Sequence, residues 1–212
     1  MDVFIGIDPS LNSTGLCFLY YDGDKKIKEY FAITKPEKLT KKEKTAQDEY
    51  LFFDYHLYKK KDLKNIEDNN VKELLKTTNY LHNAYQIREI IKQNTHRDDH
   101  VYFVQESISY GSSMRTKSVF DLAGLNYVLR FILIDLQTRF YDYNAKMAFI
   151  PPTQIKKFAS GSGNCNKETM VNAFKILYPD FNLPKIDDIC DAYYMALYAK
   201  YLKDTNSEVY DE

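Results

Sequence analysis

The sequence predicts an α/β fold: a mixed sheet of about five strands, the first three antiparallel, with helices flanking it. Three observations carry that prediction. Short apolar runs of strand length, "VFIGID", "GLCFLYYD" and "KIKEYFAIT", open the chain and are separated by turn residues. Longer segments with helical spacing then alternate with two further strand-like runs, "VYFVQE" and "KMAFI". The resulting order, β-β-β-α-β-α-β-α-α, is the layout of a sheet covered by helices.

Each element has a local reason. The first run ends at Asp8-Pro9, and Ser13-Thr14-Gly15 turns the chain into the second. Asp22-Gly23-Asp24 supplies turn chemistry before the third, so these strands are antiparallel. Residues 35–70 are lysine-rich and irregular and read as an insertion with some helix. Lysines there interleave with Tyr50, Phe52, Phe53, Tyr55 and Tyr58, which suits either a solvated face or a grip on DNA. A helix over "VKELLKTTNYLHNAYQIREIIKQN" leads to the fourth strand, "VYFVQES". The loop "SYGSSMRT" opens a long helix from about Lys117 to Arg139, and the fifth strand follows. A short helix around "TQIKKF", the loop "ASGSGNCNK", the helix "ETMVNAFKILY" and an acidic final helix complete the chain.

The 212 residues are enough for a full core and read as one domain, residues 1–212. A formal net charge of −1 excludes a globally basic nucleic-acid binder, so any basic surface must be local. Three cysteines, odd in number and without metal-finger spacing, fit a reducing, cytoplasmic compartment. The run "VFIGI" is too short for a signal peptide or membrane span, and no membrane partner is expected.

The chemistry concentrates in acids. Asp8 stands at the carboxyl end of the first strand, where open α/β sheets bind ligands, and Gly6 permits a close backbone approach. Glu106 ends the apolar run "VYFVQ" and would emerge beside Asp8 if the two strands were parallel neighbours. In "KIDDICDAYYMALYA", Asp187 suits an N-cap, while Asp188 and Asp191 are three apart and share one helix face. Capping and metal binding both remain open for this pair on the helix alone. Together Asp8, Glu106, Asp188 and Asp191 form an oxygen-only set of the kind magnesium or manganese takes. Two ions in such a site suit phosphodiester hydrolysis. In the loop "SGSGNCNK", Gly161 and Gly163 free the backbone, Asn166 or an adjacent residue can cap the next helix, and Lys167 puts a positive charge at its start.

Four motifs occur in order: "IGIDPSLNSTG", "VQES", "PPTQIKKFASGSGNCNKETM" and "DDICDAYYMALYA". In these the chain resembles the RuvC-type Holliday junction resolvases of the ribonuclease H-like superfamily, particularly their divergent phage and viral relatives. The resemblance spans nearly the whole chain except about residues 35–98. It implies a homodimeric, structure-selective endonuclease that cuts four-way DNA junctions symmetrically with two Mg2+ ions per site, Mn2+ being a possible substitute. Asp8, Glu106, Asp188 and Asp191 would be the metal-binding carboxylates, with Asp187 an alternative at i, i+4 from Asp191. Lys167, Lys156 and Lys157, with Gly161 and Gly163 in the same loop region, would approach DNA phosphates. The loop after Glu106 would probe the junction core, with Tyr110 as its aromatic wedge. The long helix would serve the dimer interface, although Val119, Leu122, Leu125, Val128, Leu129, Ile132 and Leu133 fit an ordinary core equally well.

Other readings stay in view. A debranching nuclease of broader range has the same residues. An actin-like ATP-binding protein shares the opening motif but needs a second glycine-rich phosphate turn, and the chain has only seven glycines. An inert junction-binding module would not need all four carboxylates.

Overall fold

The computed structural model of the chain describes residues 1–35, 40–41, 51–54, 63–108, 116–181, 186–206 and 208–210. Among these, six strands form one sheet: β1 (Asp2–Asp8), β2 (Thr14–Asp22), β3 (Lys25–Lys35), β4 (Leu51–Asp54), β5 (His100–Glu106) and β6 (Ala145–Ile150). Their spatial order is β4-β3-β2-β1-β5-β6. β1, β2 and β3 are antiparallel neighbours, as expected, whereas β5 lies parallel to β1 and β6 parallel to β5. The five expected strands are all present. A sixth, β4, comes from the segment read as an insertion and pairs parallel with β3. The rest of residues 36–62 lies outside the described residues apart from 40–41 and β4.

The helices are α1 (Asn69–Asn94), α2 (Thr116–Arg139), α3 (Pro152–Ser160), α4 (Lys167–Leu177) and α5 (Ile186–Asp204), with a 3-10 turn at Glu208–Tyr210. Local chemistry sets their ends. Asp68 caps α1 by accepting the Asn70 and Val71 N–H groups. Pro152 sits where a helix needs no N–H, and Gly161 closes α3 in the left-handed region at φ 80°. Asn166 caps α4, its side-chain oxygen accepting the Thr169 N–H at 2.8 Å.

Side-chain alternation splits the core into two layers. Val3, Ile5 and Ile7 of β1 pack with Leu16, Phe18, Val101 and Phe103 beneath α1 and α2. Phe4, Cys17, Leu19 and Val104 face the other way, into a layer with α3, α4 and α5. Each fully buried aliphatic or aromatic side chain contributes about 1.5–3 kcal/mol. The two layers therefore fix helices to both faces of β1, the strand that carries Asp8.

Candidate active site

Strand register brings the first two acids together. β1 and β5 pair in parallel with Ile7 opposite Gln105, so Asp8 and Glu106 follow one another off the same edge of the sheet. Parity decides the face. Asp8 alternates with Phe4 and Gly6, and Glu106 with Tyr102 and Val104, so both carboxylates belong to the α5 side. A one-residue slip in either strand would turn its acid toward α1 and α2.

Helix α5 reaches these acids because two glycines let it lie close. A methyl group on Gly6 would fall 1.9 Å from the Ala192 carbonyl oxygen and 2.5 Å from the Ala196 nitrogen. One on Gly15 would fall 2.3 Å from the Asp188 carbonyl oxygen. The close approach read from Gly6 is thus that of a helix. Asp188 is buried, at 7% exposure, and accepts a hydrogen bond from the Ser13 hydroxyl through Oδ2. Asp187 is not the N-cap, because α5 already begins at Ile186. Its side chain is 46% exposed and lies 3.6 Å from Lys167 Nζ.

The electrostatics order the group. Asp8 is held well above the usual carboxylate range by burial, and then by the charges of Glu106, Asp191 and Asp188. Burial, and then Asp191, push Glu106 up to about 7. Asp191 is raised to about 6 by burial, against the opposing pull of Lys167. The Glu106 charge is the largest of those that raise Asp8. Asp191 and Asp188 are the helical acids among the largest charges acting on Asp8.

Lys167, the first residue of α4, lies 3.9 Å from Asp191 Oδ2 as well as near Asp187. Lys156 stabilises the ionised forms of both Glu106 and Asp191, so it too belongs to the cluster. Lys157 is exposed, and its carbonyl accepts the Gly161 N–H at 2.8 Å. The loop glycines have structural duties: Gly161 ends α3, and a methyl group on Gly163 would fall 3.0 Å from the Thr153 carbonyl oxygen. Tyr110 and most of its loop lie outside the described residues. Sequence reasoning missed Ser13, which it treated as part of a turn. The available signal was parity, since Ser13 alternates with Gly15 and Cys17 on the α5 side.

The donors fit a hard divalent cation in kind: carboxylates only, buried at Asp8 and Asp188 and half-buried at Glu106 and Asp191, with more negative charge than Lys167 and Lys156 offset. Among the described residues, no three histidine, cysteine, aspartate or glutamate side chains are close enough to form a ready-made cage. The fit therefore rests on donor chemistry and on the mutual repulsion that an ion would relieve.

No family model matches the chain, and no curated protein matches it. Solved structures do. Thermus thermophilus RuvC is similar over 97% of both chains, with a TM-score of 0.52 and 13% identity. T. thermophilus RuvC in complex with Holliday junction substrate is similar over 97% of this chain and 96% of that one, with a TM-score of 0.53 and 12% identity. At such identities the likeness establishes the fold, which is RuvC-like.

Proposed function

We propose that the chain is a divalent-metal-dependent endonuclease that resolves four-way DNA junctions, a divergent phage or viral relative of the RuvC resolvases. The observation that supports this reading is that Asp8 and Glu106 end two neighbouring parallel strands on the side covered by α5, and that the charges of Glu106, Asp191 and Asp188 all act on Asp8. Those four residues would hold two magnesium ions, or manganese in their place, which supply Lewis acidity and an activated water for phosphodiester hydrolysis. Burial of Asp8 and Asp188 limits competing solvent at their oxygens. Lys167 and Lys156 add positive charge beside the acids, where a scissile or flanking phosphate has to lie. Lys157 and the Gly161–Gly163 turn extend that positive, open-backbone edge along the DNA.

A homodimer fits the exposed side of α1 and α2. The residues expected there, including Leu125, Leu129, Ile132 and Leu133, are buried core. A different stripe on α2 is exposed: Phe120 at 74%, Tyr127, Phe131 at 69% and Ile134, spaced along one helix face. Leu74, Leu81 and Tyr85 of α1 are exposed as well. Two copies joined through this surface would present paired sites to a near-twofold substrate. The three cysteines are free, and among the described residues no helix is long and apolar enough to cross a membrane. Both facts suit a cytoplasmic enzyme.

The test is cleavage of a labelled four-way junction and its matching linear duplex, in magnesium and in EDTA. Junction-selective, magnesium-dependent nicks that disappear in Asp188→Asn are expected. Equal cutting of forks, flaps and junctions would replace resolution with general debranching. Absence of cutting with every divalent ion tried would end the nuclease reading.

A further inference from the structure

Adjacent residues at the start of β2 face opposite layers. Thr14 points toward α1, where its hydroxyl oxygen accepts from Asn83 Nδ2 at 3.3 Å, and Asn83 Oδ1 accepts from the Thr34 hydroxyl at 2.8 Å. Thr14, Asn83 and Thr34 are all buried. The same Thr14 oxygen lies 3.4 Å from both the nitrogen and the carbonyl oxygen of Ser10, which ties down the turn after Asp8. Ser13, on the α5 side, is buried at 2% exposure and donates to Asp188. Its backbone is thus braced from behind by a satisfied polar network while its hydroxyl grips one oxygen of a helical acid.

That grip has a direction. A hydrogen bond to Oδ2 fixes the rotation of the carboxylate about its last torsion, and therefore where Oδ1 points. Gly15, two residues on, sets the height of the Asp188 backbone above β2. Backbone height and carboxylate rotation together set where the second Asp188 oxygen lies. Asp187, by contrast, is half-exposed and faces Lys167.

We propose that Ser13 is a positioning residue: its hydroxyl orients the Asp188 carboxylate toward a divalent cation shared with Asp8, and so makes Asp188 rather than Asp187 the helical ligand. This rests on the nuclease reading above. The test uses the full chain, Ser13→Ala and Ser13→Cys, with Asp188→Asn as reference. Mn2+ affinity is measured by calorimetry at pH 8, and melting temperature in EDTA. Loss of an outer-shell partner lowers metal affinity about 10–100-fold. The expected result is a loss in that range for both Ser13 variants, with EDTA melting temperatures near wild type. Wild-type affinity in a folded Ser13 variant, when Asp188→Asn has lost it, overturns the role of Ser13 and leaves the metal site standing. Undiminished affinity in Asp188→Asn overturns the site itself. Failure of both Ser13 variants to fold would assign the hydroxyl to the fold and also overturn the proposal.

Discussion

Gly15→Ala is the sharpest probe of how the sheet positions its helix. The added methyl would sit 2.3 Å from the Asp188 carbonyl oxygen and 2.8 Å from its carbonyl carbon. Ordinary contact begins at 3.4 Å, so the first turn of α5 has to lift by about 1 Å. Both obstructing atoms are backbone, and no change of rotamer relieves the clash. Further along, Ile189, Ala192, Met195 and Ala196 stay anchored in the core, so the helix tilts rather than detaches. Overpacking of this kind costs about 1–3 kcal/mol. For a chain of this size that is a fall in Tm of roughly 3–10 °C. Activity should suffer more, because a displacement of about 1 Å at a catalytic group costs on the order of 10²-fold. Calorimetry and single-turnover junction cleavage in magnesium would be run on the same preparation. A folded variant with wild-type cleavage would refute the coupling between Gly15 and the acids, whatever its Tm.

Glu106→Gln should abolish cleavage yet stabilise the metal-free protein at pH 8. Folding raises the Glu106 pKa to about 7 from its ordinary 4.5, so the native state keeps a proton that the unfolded chain releases. Stability is therefore lost as pH rises from about 4.5 to about 7, on the order of 3 kcal/mol, and the glutamine is spared that loss. Melting curves in EDTA at pH 5 and pH 8 check the sign, and a variant less stable than wild type at pH 8 would contradict it. Magnesium should raise the wild-type Tm more at pH 8 than at pH 5, since protonated carboxylates bind it poorly; equal shifts would count against the cluster as its site. Asp188→Asn should reduce cleavage far more than Asp187→Asn, and the reverse order would move the ligand to Asp187. Phe131→Asp should halve the mass seen in sedimentation while leaving the far-ultraviolet circular dichroism intact; an unchanged mass would remove α2 from the dimer.

Much of the site was legible because its pieces are local. An acid closing an apolar strand, as Asp8 and Glu106 do, is visible in a window of eight residues. So is an i, i+3 pair at a helix start. The capping role of Asn166 and the charge of Lys167 at the start of α4 were equally readable, since both depend on neighbours a turn away. The resemblance to resolvases came from the order of four such windows, and the RuvC-like fold agrees with it.

What windows hide is the partner. Gly6 and Gly15 read as turn or ligand glycines until α5 is laid across them, because the atoms they accommodate lie more than 170 residues away. Asp187 and Asp188 are adjacent in sequence and equal in charge. Their burial separates them, and burial depends on how far α5 is rotated over β2. On α2, Leu125 and Phe131 are both large and apolar, yet one is core and the other exposed. By itself, then, the sequence determined the elements outside the 35–70 segment, which acids end them and which chemistry such acids suit, but not the strand β4. Tertiary structure alone decided that β5 lies beside β1, which acid Ser13 holds and which apolar stripe is left uncovered. The physical reason is range: propensity, capping and alternation act over a few residues, whereas strand neighbours and helix crossing are chosen by packing between segments far apart in the chain.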